Sequence, residues 1–135
     1  MADQALADID ELIDSFYKRF DNRSPCAFKI SELVVMFTPH ARITRMTPNG
    51  IEEWSVQEFV SPRATLLTDG SLKDFHEWEI EAKTVVSSNI ASRYSRYEKE
   101  GVLHGNSFKG EGDMFIQLCN GTEGWRICSI LWEDA

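Results

Sequence analysis

HEWEIEAK, residues 76–83, sets His76, Trp78, Ile80 and Ala82 at every second position, with Glu77, Glu79, Glu81 and Lys83 between them. Glu, Ala and Lys favour helix by propensity. A helix, however, buries positions i, i+3, i+4 and i+7, whereas a period of two belongs to a strand with one face in contact with a core. The stretch therefore predicts an extended strand whose charged face meets water. His76 and Trp78 are then expected on the side that lines a core or a cavity.

Downstream the same alternation recurs in segments at 73–85, 89–98, 112–119 and 124–132, joined by short Ser-, Asn- and Gly-rich links of which NGTEG, residues 120–124, is the clearest turn. Four strands in an antiparallel meander follow. Upstream the period changes. Leu6, Ile9, Leu12, Ile13, Phe16, Tyr17 and Phe20 recur at three- and four-residue steps, one stripe of a long amphipathic helix from residue 3 to about 20. Its acidic residues lie toward the N-terminus and Lys18 and Arg19 at the end, the order the helix dipole favours. Ser24 and Pro25 form a helix-start signature, and Phe28, Ile30, Leu33, Val34 and Phe37 carry a second helix to Thr38, before Pro39.

A short strand at 41–46 and a turn at Pro48, Asn49 and Gly50 come next. Ser55 with Glu58 fits a capping box that opens a third helix, broken at Ser61 and Pro62 and restarted through Leu67. Helices followed by a meander define an α+β class, with a long N-terminal helix and two shorter ones packed on one face of a strongly curved antiparallel sheet.

The 135 residues make one domain, 1–135, long enough to bury a core without metals or disulfides. A hydrophobic fraction of 42% with 27% charged residues excludes disordered and collagen-like classes. The formal net charge of −8 repels a phosphate backbone, and Arg42 with Arg45 is the nearest approach to a basic patch, so nucleic acid is not an expected partner. No apolar run approaches the roughly 20 residues of a membrane span, and the acidic N-terminus is unlike a signal peptide; the expectation is a cytoplasmic protein without a membrane partner. Cys26, Cys119 and Cys128 are odd in number with no CxxC pair, which argues against a disulfide framework or zinc. His40, His76 and His104 form no HxH or HExxH pair, and neither GxSxG nor a Gly-rich phosphate loop occurs. No metal and no cofactor are expected.

The wording of the C-terminal third, IASRYSRYEKEG and then GEGDMFIQLCNGTEGWRICSILWED, resembles the nuclear transport factor 2-like superfamily, and within it the SnoaL-like bacterial proteins. Ile90, Ala91, Ser95, Tyr97, Glu98, Gly112, Ile116, Gln117, Leu118, Trp125, Ile127, Ser129, Ile130 and Trp132 carry the likeness, which extends over nearly the whole chain. The resemblance implies a cone-shaped α+β barrel of cystatin-like type, in which a bent sheet wraps the first helix and encloses a pocket, and a homodimer formed through the outer sheet face. It does not imply one activity, because the fold hosts isomerases, dehydratases and non-catalytic binders alike.

Set against the ketosteroid isomerases of that superfamily, Tyr17 stands where their tyrosine does. The position of their base falls near Arg45 and that of their second acid near Met114, and neither can do that work. Against the scytalone dehydratases, His76 on an inward strand face is a candidate acid or base. It has no evident partner, since His104 lies in a link and His40 at a helix end; a histidine satisfied by one hydrogen bond at the pocket wall is the plainer reading. The candidate catalytic pair is thus His76 and Tyr17. Tyr17, Phe37, Trp54, Phe59, His76, Trp78, Arg93 and Met114 are the expected lining of an aromatic pocket for a small organic ligand. Arg93 shares a strand face with Ala91, Ser95 and Tyr97. On the concave side it would select an anion; on the convex side, the preferred reading, it is a surface or interface residue. Two functions fit: a small-molecule-binding protein with isomerase or lyase/dehydratase chemistry, or a non-catalytic dimeric interaction module.

Overall fold

The computed structural model describes residues 2–24 and 30–135. Helix α1, Ala2–Lys18, buries Ile9, Ile13, Phe16 and Tyr17, with Phe20 just beyond its end, and turns its acidic side outward, where Asp14 pairs with Lys18 at 2.8 Å. Helix α2 is described over Ile30–Val34. The predicted helix to Thr38 is cut back here, and its predicted start at Ser24 and Pro25 reaches outside the described residues. Strand β1, Phe37–Thr47, takes over instead. Pro39 lacks an N–H and disfavours helix at the residue before it. Phe37 pairs with Ile127 on the last strand, and the ladder shifts register between Phe37 and Arg42, the gap that accommodates the proline.

Pro48 and Asn49 turn the chain into β2, Gly50–Trp54, a strand the sequence pattern does not announce because most of it is exposed on both faces. Helix α3, Val56–Thr68, opens on the expected capping box: Glu58 N–H donates to Ser55 Oγ at 3.2 Å, and Ser55 N–H to Glu58 Oε1 at 2.8 Å. The break expected at Pro62 does not occur. The backbone bond that Pro62 forgoes would go to the carbonyl of Glu58, on the exposed side of the helix, where water can replace it.

Strands β3, Leu72–Ser87, β4, Ile90–Leu103, β5, Asn106–Gly121, and β6, Gly124–Asp134, form the predicted meander. His104 and Gly105, both at positive φ, make the two-residue turn between β4 and β5. The sheet order is β2-β1-β6-β5-β4-β3. The β1–β6 pair is parallel, so the sheet is mixed rather than wholly antiparallel, and it stays open with β2 and β3 at its edges. The helices cover its inner face, where Ile43, Ala91, Ser95, Tyr97, Ile116, Leu118, Ile127 and Ile130 close the core.

The face assignment of β3 is the main correction. Register shifts fall between Lys73 and His76 and between Glu79 and Glu81. Asp74, at φ 51°, marks the first. A one-residue slip sends every following side chain to the other face. Glu77 thus stands opposite Lys99 and Glu79 opposite the buried Tyr97, on the inner face, while His76 and Trp78 stand opposite Glu100 and Glu98, on the outer one. Ile80, unpaired at the second slip, is 47% exposed; beyond it the order reverses again, with Thr84 facing Arg93 inside and Val85 72% exposed outside.

Candidate functional site

A cavity of about 340 Å³ lies between α1, α3 and the inner face of the sheet. Its apolar walls include Phe16 and Phe20 at the end of α1, Phe59 and Leu67 from α3, and Phe75, Phe108, Met114, Ile130 and Trp132 from the strands. Phe75 and Phe108 stack with centroids 6.3 Å apart, as do Trp54 and Trp132 at 5.7 Å behind Phe59. Six polar side chains interrupt this surface: Arg45, Arg63, Glu77, Tyr97, Lys99 and Asp134.

Four of the six form one cluster around Asp134. Tyr97 donates its phenol O–H to Oδ1 in a short hydrogen bond, Lys99 Nζ lies 2.9 Å from the same oxygen, and Arg45 Nη2 lies 2.7 Å from Oδ2. Burial works against the Asp134 carboxylate, but these donors hold its pKa below the usual range. Tyr97 is pushed up by burial and by the acceptor it serves. The cluster exists because β5 offers two glycines. Tyr97, Gly112 and Asp134 fall in one row across β4, β5 and β6. A Cβ at Gly112 would come within 2.6 Å of Tyr97 Cζ and 2.5 Å of the Glu133 carbonyl oxygen, so only glycine lets the phenol cross the strand. Gly110, opposite Lys99, clears the path for its ammonium in the same way.

Among the described residues Glu77, unlike Asp134, has no such donors. Burial raises its pKa from 4.5 to about 7; Lys99 and Arg63 pull it down and Asp134 pushes it up. The carboxyl lies well below the protein surface yet keeps some accessible area, because that area faces the cavity. Arg63 stands on α3 with its guanidinium carbon 3.9 Å from the centroid of Phe59, 5.1 Å from Trp54 and 5.8 Å from Trp132. Burial and the neighbouring Arg45 bring its pKa down to about 10.

Of the residues singled out from sequence, Phe59 and Met114 line the cavity. Trp54 stacks against Phe59 and Trp132 and stands one layer back. Phe37 packs edge-on to Phe16 at 6.1 Å within the core. Tyr17 lies behind Tyr97, its hydroxyl 2.7 Å from Ser95 Oγ, and Ser95 in turn donates to Glu79 at 2.5 Å. Arg93 is on the concave side, contrary to the preferred reading, and only 4% exposed. It does not face a ligand: Glu79 takes two of its N–H groups at 2.5 and 3.0 Å, Asp10 a third at 2.6 Å, and Thr84 lies 3.0 Å away. His76 and Trp78 stack on each other at 4.5 Å on the outer face, with Glu100 2.8 Å from His76 Nε2. Glu77, Lys99, Tyr97, Asp134, Arg45 and Arg63 escaped the sequence reading. The spacing Gly110-x-Gly112 inside a strand was the available signal, since such glycines mark a close approach by another group.

A long helix laid into a curved, open sheet around a cavity of this kind is the nuclear transport factor 2-like, cystatin-like architecture, as the resemblance implied. No family model matches the sequence, and no curated protein matches it. Solved structures do match. A protein of Kribbella flavida superposes with a TM-score of 0.81 at 16% identity, over 100% of this chain and 93% of that one. A nuclear transport factor 2-like superfamily protein of Salmonella enterica gives 0.76 at 14%, over 98% and 92%. A proposed scytalone dehydratase of Novosphingobium aromaticivorans gives 0.76 at 13%, over 100% and 89%. Likeness at these identities establishes the fold.

Proposed function

We propose that the protein binds a small, largely apolar organic molecule in this cavity and moves a proton to or from it through Glu77, in isomerase or lyase/dehydratase chemistry that needs no cofactor. The observation that supports the reading is a carboxyl with a pKa of about 7 opening onto apolar space. At neutral pH such a group is divided between acid and base, the condition under which general acid–base catalysis is most effective. Lys99 and Arg63 put positive charge in the same chamber, where it would stabilise a developing enolate or alkoxide. Glu77 takes the role that the sequence suggested for His76, and Tyr17 supports the wall behind Tyr97. One structural neighbour is itself a proposed scytalone dehydratase, which is in keeping with lyase chemistry.

The test is proton exchange. Small aryl ketones with exchangeable α-hydrogens, incubated with the protein in heavy water and followed by NMR, should take up deuterium. Glu77→Gln should slow that uptake by about 10²–10⁴-fold while still binding the same compounds. Exchange that survives the substitution removes the proposal, and so does a bound ketone located outside the cavity.

The outer sheet face supports a second reading, a dimeric interaction module. Tyr94, Phe115 and Leu131 share one outward row of the register, with Phe115 49% and Leu131 45% exposed, and Val85 and Ile90 add further apolar surface beside them. Apolar area of this extent on one sheet face suits a second copy of the chain. Sedimentation should then show a dimer for the native chain and a monomer for Phe115→Glu. A native monomer sinks this reading and leaves the first untouched.

A further inference from the structure

We infer that the ligand of the cavity carries a carboxylate, held by Arg63, on a flat aromatic or conjugated body. The inference rests on the cavity reading above and specifies its ligand. Arg63 makes one hydrogen bond, from Nη1 to the Phe59 carbonyl at 3.0 Å, and joins none of the ion pairs among the described residues. A guanidinium has five N–H donors in a planar fork, so most of its binding capacity is uncommitted. Arg93, nearly fully buried, shows what this protein does with a structural cation: both edges of the fork are filled by Glu79 and Asp10. Arg63 has been given aromatic neighbours instead. Phe59, Trp54 and Trp132 hold the guanidinium without neutralising it.

The charge inventory of the chamber points the same way. Arg45, Arg63 and Lys99 line the cavity with Glu77 and Asp134, and Glu52 beside it pairs with Arg45 at 3.6 Å, in a protein whose overall formal charge is −8. Asp134 is fully engaged by Arg45, Lys99 and Tyr97, and near neutrality Glu77 is in part protonated. Of the three cavity cations, Arg63 on α3 is therefore the one with no acid partner among the described residues. A carboxylate meets a guanidinium edge through two parallel hydrogen bonds, which a neutral group of the same shape cannot reproduce. Phe20, Phe75 and Phe108 line the remaining space and suit a flat apolar body.

Titration calorimetry with 2-naphthoate and its neutral twin, 2-naphthamide, separates the possibilities. The native protein should bind the acid at least about ten-fold more tightly than the amide. Arg63→Gln should erase that preference while leaving the amide affinity within about two-fold, which also shows that the cavity is still formed. Arg63→Lys should keep part of the preference. Equal affinity for acid and amide in the native protein overturns the carboxylate inference alone, as does a preference that survives Arg63→Gln. Failure of both compounds to bind any of these proteins overturns the cavity reading along with it.

Discussion

Glu77 and Lys99 stand directly across the β3–β4 pair from each other, yet the ammonium of Lys99 is bonded to Asp134 at 2.9 Å. The glutamate is left with the cavity as its solvent. Its raised pKa means that the folded chain binds a proton that the unfolded chain releases, between 4.5 and about 7. Stability contributed by the protonated carboxyl is full below that window and is lost as the pH rises through it. Glutamine mimics the protonated form at every pH. Glu77→Gln should therefore gain on the native protein between pH 5 and pH 8, by on the order of 3 kcal/mol at most. Urea denaturation at the two pH values measures the gap; a constant gap would mean that Glu77 is solvated.

Gly112 is the second test. An alanine there meets the backbone oxygen of Glu133 and the ring of Tyr97, and only the ring can move. Gly112→Ala should cost about 2–3 kcal/mol through overpacking and the lost Tyr97–Asp134 bond. Adding Tyr97→Phe to that variant should then cost little more, because the phenol is already displaced. Thermal melts of the two single variants and the double variant give the coupling, and simple additivity would contradict the row described here.

Arg93 and Glu79 are buried together beneath α1, with Arg93 4% and Glu79 20% exposed. Arg93→Met strands a carboxylate in the core and should destabilise the fold by about 3–5 kcal/mol. Replacing both residues, as Arg93→Met with Glu79→Leu, should recover most of that loss. Recovery in chemical denaturation separates a structural pair from a ligand site, for which removing both members would give no rescue.

His76 supplies the contrast. Its ring rests on Trp78 and meets a half-exposed Glu100 on the outer face. His76→Gln should alter stability by less than about 1 kcal/mol and leave affinity for 2-naphthoate within about two-fold. A large loss of affinity would show that the β3 faces are the reverse of those described.

The sequence carried the elements well, and the reasons are local. The stripe of Ile9, Ile13 and Phe16, the capping box at Ser55 and the turns of the meander are all written in neighbouring residues. The α2 boundary was hidden because it depends on a distant partner, Phe37 on Ile127, and β2 because Gly50–Trp54 is mostly exposed on both faces and shows no buried alternation. The site was the least legible part. Alternation identified β3 as a strand but could not reveal the slip at Asp74, since nothing in HEWEIEAK distinguishes its two faces except hydrophobicity. That cue failed because Glu79 has Arg93 and Ser95 to accept it inside, and Glu77 has a chamber. Phe59 was found because it is aromatic in any register, and Met114 through the position the family resemblance assigned it; Lys99 and Asp134 needed the glycines between them.

The paired slips of β3 have an evolutionary corollary. They confine a reversed frame to a few residues at a free sheet margin, between two stretches of ordinary pairing. A single codon gained or lost there would rotate imidazole and indole into the chamber and carboxylates out, with the neighbouring strands undisturbed. Chemistry in this scaffold can thus be exchanged by sliding one segment rather than by replacing its residues, and comparison of homologues by column alone would align groups that point in opposite directions.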